Sequence, residues 1–233
     1  MDIEAVIFDW GGTLTQWHDI DFHAESLALA EAVVRAPHHS RDEITERLQR
    51  AGDEIWGRSR DHQQSSTVGD LFAVAGLDHD PELLSAYFDF WEPHTFTDPD
   101  VRPLWTWLRT QGIKVGVLSN TIWPRQWHVG FFERDGVYDL VDGDVYTSEI
   151  AWTKPSPRAF QAAMEAVGVR RPESCVYVGD RLFDDVFGAQ QAGMRAVHVP
   201  HSAIPASQHG HTDGTPDGVV NRLSDLPQVL ASL

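Results

Sequence analysis

Ala5-Val6-Ile7-Phe8-Asp9-Trp10-Gly11-Gly12-Thr13-Leu14-Thr15 is a short apolar run that ends on a carboxylate and enters a glycine-rich turn. A strand of this kind delivers the Asp9 charge to the carboxyl edge of a sheet, beside the free backbone amides of the Gly-Gly-Thr turn. In open α/β sheets that edge is where ligands bind.

Outward from this segment the pattern turns helical. Phe22, Leu27, Leu29, Ala30, Val33 and Val34 read as one apolar helical stretch stopped by Pro37. Ser40-Arg41-Asp42-Glu43 is a capping-box signature that opens a second helix through Ile44, Leu48, Ile55 and Trp56. Shorter helices are expected near Val68–Ala75 and Pro81–Trp91, and no strand between residues 16 and 98. Strand–helix alternation resumes near Thr97. Helices are expected at Asp100–Thr110, Pro124–Phe132, Pro155–Val167 and Asp184–Ala192, and strands at Ile113–Leu118, Asp144–Tyr146, Cys175–Val178 and Arg195–Val199. His201–Asp217 reads as a surface loop, with Val219-Val220 and Ser224–Leu230 as a last strand and helix. Repeated strands with crossover helices imply an α/β core with a parallel sheet covered on both faces. The expected division is a core of residues 1–15 and 97–233 carrying a helical insert at 16–96.

The chain has 233 residues, 42% hydrophobic, with a formal net charge of −17. That charge argues against nucleic acid or an anionic membrane surface as partner. The start Met1-Asp2-Ile3-Glu4 lacks a signal peptide's basic residues, and no apolar run approaches a membrane span, so the expected location is the cytoplasm. Cys175 is the one cysteine, which excludes an intramolecular disulfide. Lys114 and Lys154 are the two lysines, so a lysine inside a motif is less readily incidental.

Four segments sit where their chemistry can converge: Asp9 with Gly11-Gly12-Thr13, Ser119-Asn120, Lys154-Pro155, and Gly179-Asp180 with Asp185. They supply a nucleophilic carboxylate, a hydroxyl for phosphate oxygens, a fixed cation and a second carboxylate. An aspartate can accept a phosphoryl group covalently. Magnesium takes octahedral oxygen ligands and keeps several waters, so two carboxylates and a backbone carbonyl suffice. Phosphoryl transfer needs mainly positioning and charge neutralisation.

This ordered set resembles the haloacid dehalogenase-like hydrolase superfamily over essentially the whole chain. The residues that carry the likeness are Val6–Leu14, Gly116-Val117-Leu118-Ser119-Asn120, Lys154-Pro155-Ser156-Pro157, and Val178-Gly179-Asp180 through Ala189. The resemblance implies a Rossmann-like core and makes the helical insert the family's cap. It also implies a magnesium-dependent phosphatase acting on a small phosphorylated metabolite. Asp9 would be the nucleophile and a magnesium ligand, with the Gly11 carbonyl and Asp180 as the other protein ligands. Ser119 and Lys154 would hold the phosphoryl oxygens, with Gly12, Thr13 and Asn120 completing the phosphate-binding set. Asp185 would orient metal waters or Lys154.

Phosphatases of the superfamily usually carry a second aspartate two residues after the nucleophile, and here that position is Gly11. The side chain protonates the leaving oxygen and later activates water. Loss of a general acid typically costs ~10²–10⁴-fold in rate. The penalty falls mainly on poor leaving groups such as sugar alcohols.

Three alternatives follow from that departure: a non-catalytic phosphate- or metabolite-binding regulator on the same fold, a 2-haloacid dehalogenase, and phosphonoacetaldehyde hydrolase chemistry. For the dehalogenase, Leu118-Ser119-Asn120 fits, and Arg41, Arg47 or Arg50 would bind the carboxylate. Gly179-Asp180, however, stands where those enzymes usually have a Ser-Asn type pair. The third needs a lysine in the insert, and none occurs between residues 1 and 113.

Trp10, Trp17, Trp123 and Trp152 adjoin the motifs. They read chiefly as packing, with Trp17 and Trp123 the better pocket candidates. His18 reads as a linker residue, and His198, His201, His209 and His211 lack zinc-motif spacing.

Overall fold

In the computed structural model, residues 3–16, 20–35, 39–200 and 209–233 are described. Trp17, His18, Pro37 and His201 lie outside them. Among the described residues six strands form a parallel sheet in the order β5-β4-β1-β6-β7-β8. These are β1 (Ala5–Phe8), β4 (Lys114–Ser119), β5 (Gly143–Tyr146), β6 (Cys175–Gly179), β7 (Arg195–His198) and β8 (Gly218–Val219). All four β1 residues are buried: the strand pairs with β4 on one side and β6 on the other, and helices cover both of its faces. A strand covered on both faces reads as a continuous apolar run.

The sheet's two faces follow from the period-two alternation of side chains. Val6 and Phe8 join one core with Leu104, Trp105 and Leu108 of α5 (Val101–Thr110). Ala5 and Ile7 join the other with Ala159, Phe160 and Ala163 of α7 (Pro157–Ala166). A Cβ at Gly143 would lie 2.5 Å from the Ala166 backbone, so only glycine lets the end of α7 pass this close to β5. From β1 the chain moves outward to β4, then β5, and crosses back to β6. This reversal opens a crevice at the carboxyl ends of β1 and its two neighbours.

Between β1 and α5 stand α1 (Phe22–Ala30), β2 (Val33–Arg35), α2 (Arg41–His62), α3 (Val68–Ala75), β3 (Asp78–His79) and α4 (Ser85–Trp91). Here the structure corrects the sequence reading. The first helix ends at Ala30, and Val33 leaves it to pair antiparallel with His79. Residues 16–98 therefore do contain strands. Adjacent β-branched valines lose rotamer freedom in a helix and favour extended backbone, and a two-residue partner such as β3 has no periodicity to read. The capping box is present: Glu43 N–H donates to Ser40 Oγ at 3.2 Å, and Ser40 N–H donates to Glu43 Oε2 at 2.7 Å. After β6 the chain winds as a π-helix over Leu182–Phe187 before α8 (Gly188–Gln191), earlier and wider than the expected helix start at Asp184. Phe131 and Phe132 of α6 (Arg125–Arg134) and Leu226 and Leu230 of α9 (Leu226–Leu230) join the same core as Val6 and Phe8. Among the described residues no helix is long and apolar enough to cross a membrane.

Glu25 of α1 carries a pH prediction. It accepts hydrogen bonds from Tyr87 Oη at 3.3 Å and Trp91 Nε1 at 3.2 Å. Burial pushes its carboxyl up to about 7, against the lowering effect of those two donors. The folded state thus holds a proton that the unfolded chain releases near 4.5. Stability should fall as pH rises from about 4.5 to 7 and level off above. The slope stays below the full ~1.4 kcal/mol per pH unit, since Glu25 is only half-buried. Glu25→Gln should flatten that segment of a Tm-versus-pH curve; an unchanged curve would refute the assignment.

Candidate active site

The register Phe8↔Val117 and Phe8↔Val178 sets Asp9 level with Leu118 and Gly179. Ser119 and Asp180 therefore project one residue further out on the flanking strands. Asp9 N–H makes the last ladder bond, to Val178 O at 2.8 Å. The chain then turns through Gly12, whose φ of 78° is left-handed and suits a residue without Cβ. Leu14 N–H closes the turn on Trp10 O at 2.9 Å.

Lys154 reaches into this crevice from the loop before α7. Its ammonium is 2.6 Å from Asp9 Oδ1 and 2.7 Å from Asp185 Oδ1, and it is 2% exposed. A third contact, 2.9 Å, goes to Tyr177 Oη. Thr13 Oγ1 donates to Asp180 Oδ1 at 3.4 Å, and His198 Nε2 bonds Asp180 O at 2.9 Å. Asp9, Thr13, Ser119, Lys154, Asp180 and Asp185 are all buried here.

The sequence groups Asn120 with the phosphate binders, but its side chain is turned to another task. Its amide N donates to Lys154 O at 3.1 Å, and its carbonyl oxygen accepts from Lys154 N–H at 2.8 Å. The residue clamps the Ser119 loop to the Lys154 loop. Asp185 is similarly committed: Oδ1 takes Lys154, and Oδ2 accepts Arg181 N–H at 2.8 Å.

Asp9, Asp180 and Asp185 each offer a carboxylate oxygen within 4.8 Å of one another. Counting Asp184, four buried acids face Lys154 and Arg181. Burial raises the Asp9 carboxyl, and the nearby Asp185 and Asp180 charges add to this; only Lys154 opposes them. Asp184 is pushed up to about 6 by burial, against Arg181. An all-oxygen donor set with two acids in excess fits a hard divalent cation.

Tyr177 and His198 have site roles that sequence reasoning missed. The readable signal for Tyr177 was a hydroxyl inside an otherwise apolar strand, since buried polar groups need partners. Trp123, a pocket candidate, is packed instead. It is buried, donates Nε1–H to Tyr87 Oη at 2.9 Å, and lies 5.7 Å from the Trp10 ring. Arg41, Arg47 and Arg50 contact Glu31, Ala75 O and Glu46, all between β1 and α5. This helical stretch meets the motif loops through Val68 N–H to Ile122 O at 3.0 Å and Thr153 N–H to Gln63 O at 3.1 Å. A cavity of about 480 Å³ opens beside Thr13, lined also by Gln16, Asp98, Asp100 and Arg222.

A sequence profile for haloacid dehalogenase-like hydrolases matches residues 3–193. The chain belongs to that family. This hydrolase is 30% identical to the glyceraldehyde 3-phosphate phosphatase of Methanopyrus kandleri, over 99% of this chain and 98% of the relative. A phosphatase of the family from Thermococcus onnurineus superposes with a TM-score of 0.68 at 29% identity, covering 97% of each chain. A 2-haloacid dehalogenase from Pseudomonas syringae gives 0.65 at 26% identity, covering 99% of each. The family assignment makes the chain an enzyme of the hydrolase class on a Rossmann-like α/β fold.

Proposed function

We propose that this hydrolase is a magnesium-dependent phosphatase of small phosphorylated metabolites in the cytoplasm, acting through an aspartyl-phosphate at Asp9, with the insert as its cap. The observation that carries the reading is the Lys154 ammonium 2.6 Å from Asp9 Oδ1, with the Asp180 carboxylate in the same buried cluster. Asp9, Asp180 and the Gly11 carbonyl would hold magnesium, which when bound neutralises phosphoryl charge. Asp185, with both oxygens on N–H donors, positions Lys154.

An Asp9 carboxylate oxygen attacks phosphorus, and the ester P–O bond breaks with its electron pair leaving on the substrate oxygen. Ser119 and Lys154 steady the phosphoryl oxygens. Water then attacks phosphorus, the Asp9–phosphorus bond breaks, and inorganic phosphate departs with Asp9 restored. Gly11 supplies no proton to the leaving oxygen, so activated acyl or aryl phosphates turn over faster than sugar phosphates. Glyceraldehyde 3-phosphate, for which the Methanopyrus relative is named, is the first alcohol-derived ester to assay. The acids around Asp180 disfavour the anionic 2-haloacid that a dehalogenase must admit.

The test is hydrolysis of p-nitrophenyl phosphate and acetyl phosphate with magnesium and after chelation. Chelation should lower kcat/KM by roughly 10²-fold or more, several kcal/mol of lost charge stabilisation. Hydrolysis indifferent to metal, halide release from 2-chloropropionate, or tight phosphate binding with no turnover would each overturn the assignment.

A further inference from the structure

We propose that Tyr177 is a positioning residue for Lys154, holding the lysine head on Asp9 by accepting its third ammonium hydrogen. The inference deepens the phosphatase reading, since it names what aims the cation of that site.

An ammonium has three N–H donors and no acceptor. At Lys154 the acceptors are Asp9 Oδ1 at 2.6 Å, Asp185 Oδ1 at 2.7 Å and Tyr177 Oη at 2.9 Å. The two acids come from different segments of the active-site edge, β1's end and the π-helix, and alone they leave the head free to pivot about the line joining them. The phenol removes that freedom and also satisfies a donor that burial would otherwise leave unpaired.

Tyr177 is itself fixed as an acceptor toward lysine. Its O–H donates to Leu118 O at 2.8 Å, so its hydrogen is spent on β4 and a lone pair is left for the ammonium. The ring is set by Phe160, whose plane meets it at 75° with centroids 5.0 Å apart. Lys154 Nζ lies 5.3 Å from the ring centroid while 2.9 Å from the oxygen, an approach by the hydroxyl end of the ring. Burial and the surrounding acids keep the phenol protonated. One hydroxyl thus ties together β6, the residue before Ser119, and the lysine that faces the nucleophile.

The test uses Tyr177→Phe, which removes the oxygen and keeps the packing with Phe160. Because the chain has just two lysines, ¹⁵N-lysine labelling gives two ammonium signals, and Lys114→Arg assigns them. Wild type should show slow hydrogen exchange at Lys154 without added metal. Tyr177→Phe should shift that signal, speed its exchange, and lower the rate of Asp9 phosphorylation about tenfold, the scale of one hydrogen bond to a charged group, with KM little changed. A purely structural tyrosine would lower Tm and leave the Lys154 signal in place, which would overturn the proposal. So would fast exchange at Lys154 in wild type, a measurement that needs no variant to fold. If Tyr177→Phe does not fold, 3,5-difluorotyrosine at 177 keeps the shape and weakens the acceptor. A smaller shift in the same direction supports the proposal, and no shift refutes it. Should wild type hydrolyse no phosphate while the Lys154 signal responds as stated, the phosphatase reading fails and the positioning role survives.

Discussion

Asp9→Asn is expected to lower turnover of every phosphate substrate by on the order of 10⁴-fold or more, the scale seen when a covalent nucleophile is removed. The amide keeps the carboxylate's shape and can still accept the Lys154 hydrogen bond now 2.6 Å long, but it cannot carry the phosphoryl group. The fold should not suffer. Asp9 is 6% exposed, and its charge is opposed by burial and by Asp180 and Asp185, so a neutral replacement relieves repulsion. A Tm equal to or above wild type, with the phosphoryl adduct absent by mass spectrometry, is the anticipated pair of results. Residual activity within tenfold of wild type in a folded variant would place the nucleophile elsewhere.

Gly11→Asp is expected to act in the opposite direction. It restores a carboxyl where the family's phosphatases protonate the leaving oxygen, an effect of roughly 10²–10⁴-fold. The structure leaves room for it: a Cβ at Gly11 meets nothing within 4 Å, and Gly11 is not among the residues with positive φ. Neighbouring Gly12, at φ 78°, would be strained by the same change. The gain should concentrate on alcohol-derived esters such as glyceraldehyde 3-phosphate. It should be small on p-nitrophenyl phosphate, whose leaving group departs without a proton. The ratio of kcat on the two substrates is therefore the quantity to measure. A folded, magnesium-binding Gly11→Asp enzyme with an unchanged ratio would mean that another group already supplies the proton.

Both predictions rest on residues legible in the chain, because strand ends are easy to read. An apolar run stopping on Asp9, on Ser119 or on Gly179-Asp180 needs no knowledge of its neighbours. The Val68–Ala75 helix and the Ser40–Glu43 cap were readable for the same reason, since their hydrogen bonds run between residues a few positions apart. The Val33–His79 pairing was not, because a strand of two or three residues exists only through a partner that here lies 46 positions away. The side-chain bonds of Asn120 were unreadable for a related reason. Its place beside Ser119 makes it a candidate phosphate binder, and nothing local shows that its carboxamide is taken at both ends by the Lys154 peptide, 34 positions on.

The order of apolar strands, glycine turns and terminal acids by itself determined the parallel α/β core and marked Asp9, Lys154 and Asp180 as candidate chemical groups, which the fold brings together. These are properties of local pattern and residue type. Tertiary structure alone decided how those groups are held: the Tyr177 hydroxyl under Lys154, the Asn120 clamp, both oxygens of Asp185 engaged, and His198 on the Asp180 carbonyl. A hydrogen bond has a range of about 3 Å and a required direction, and whether two distant residues meet within it is settled only when the sheet brings their strands side by side.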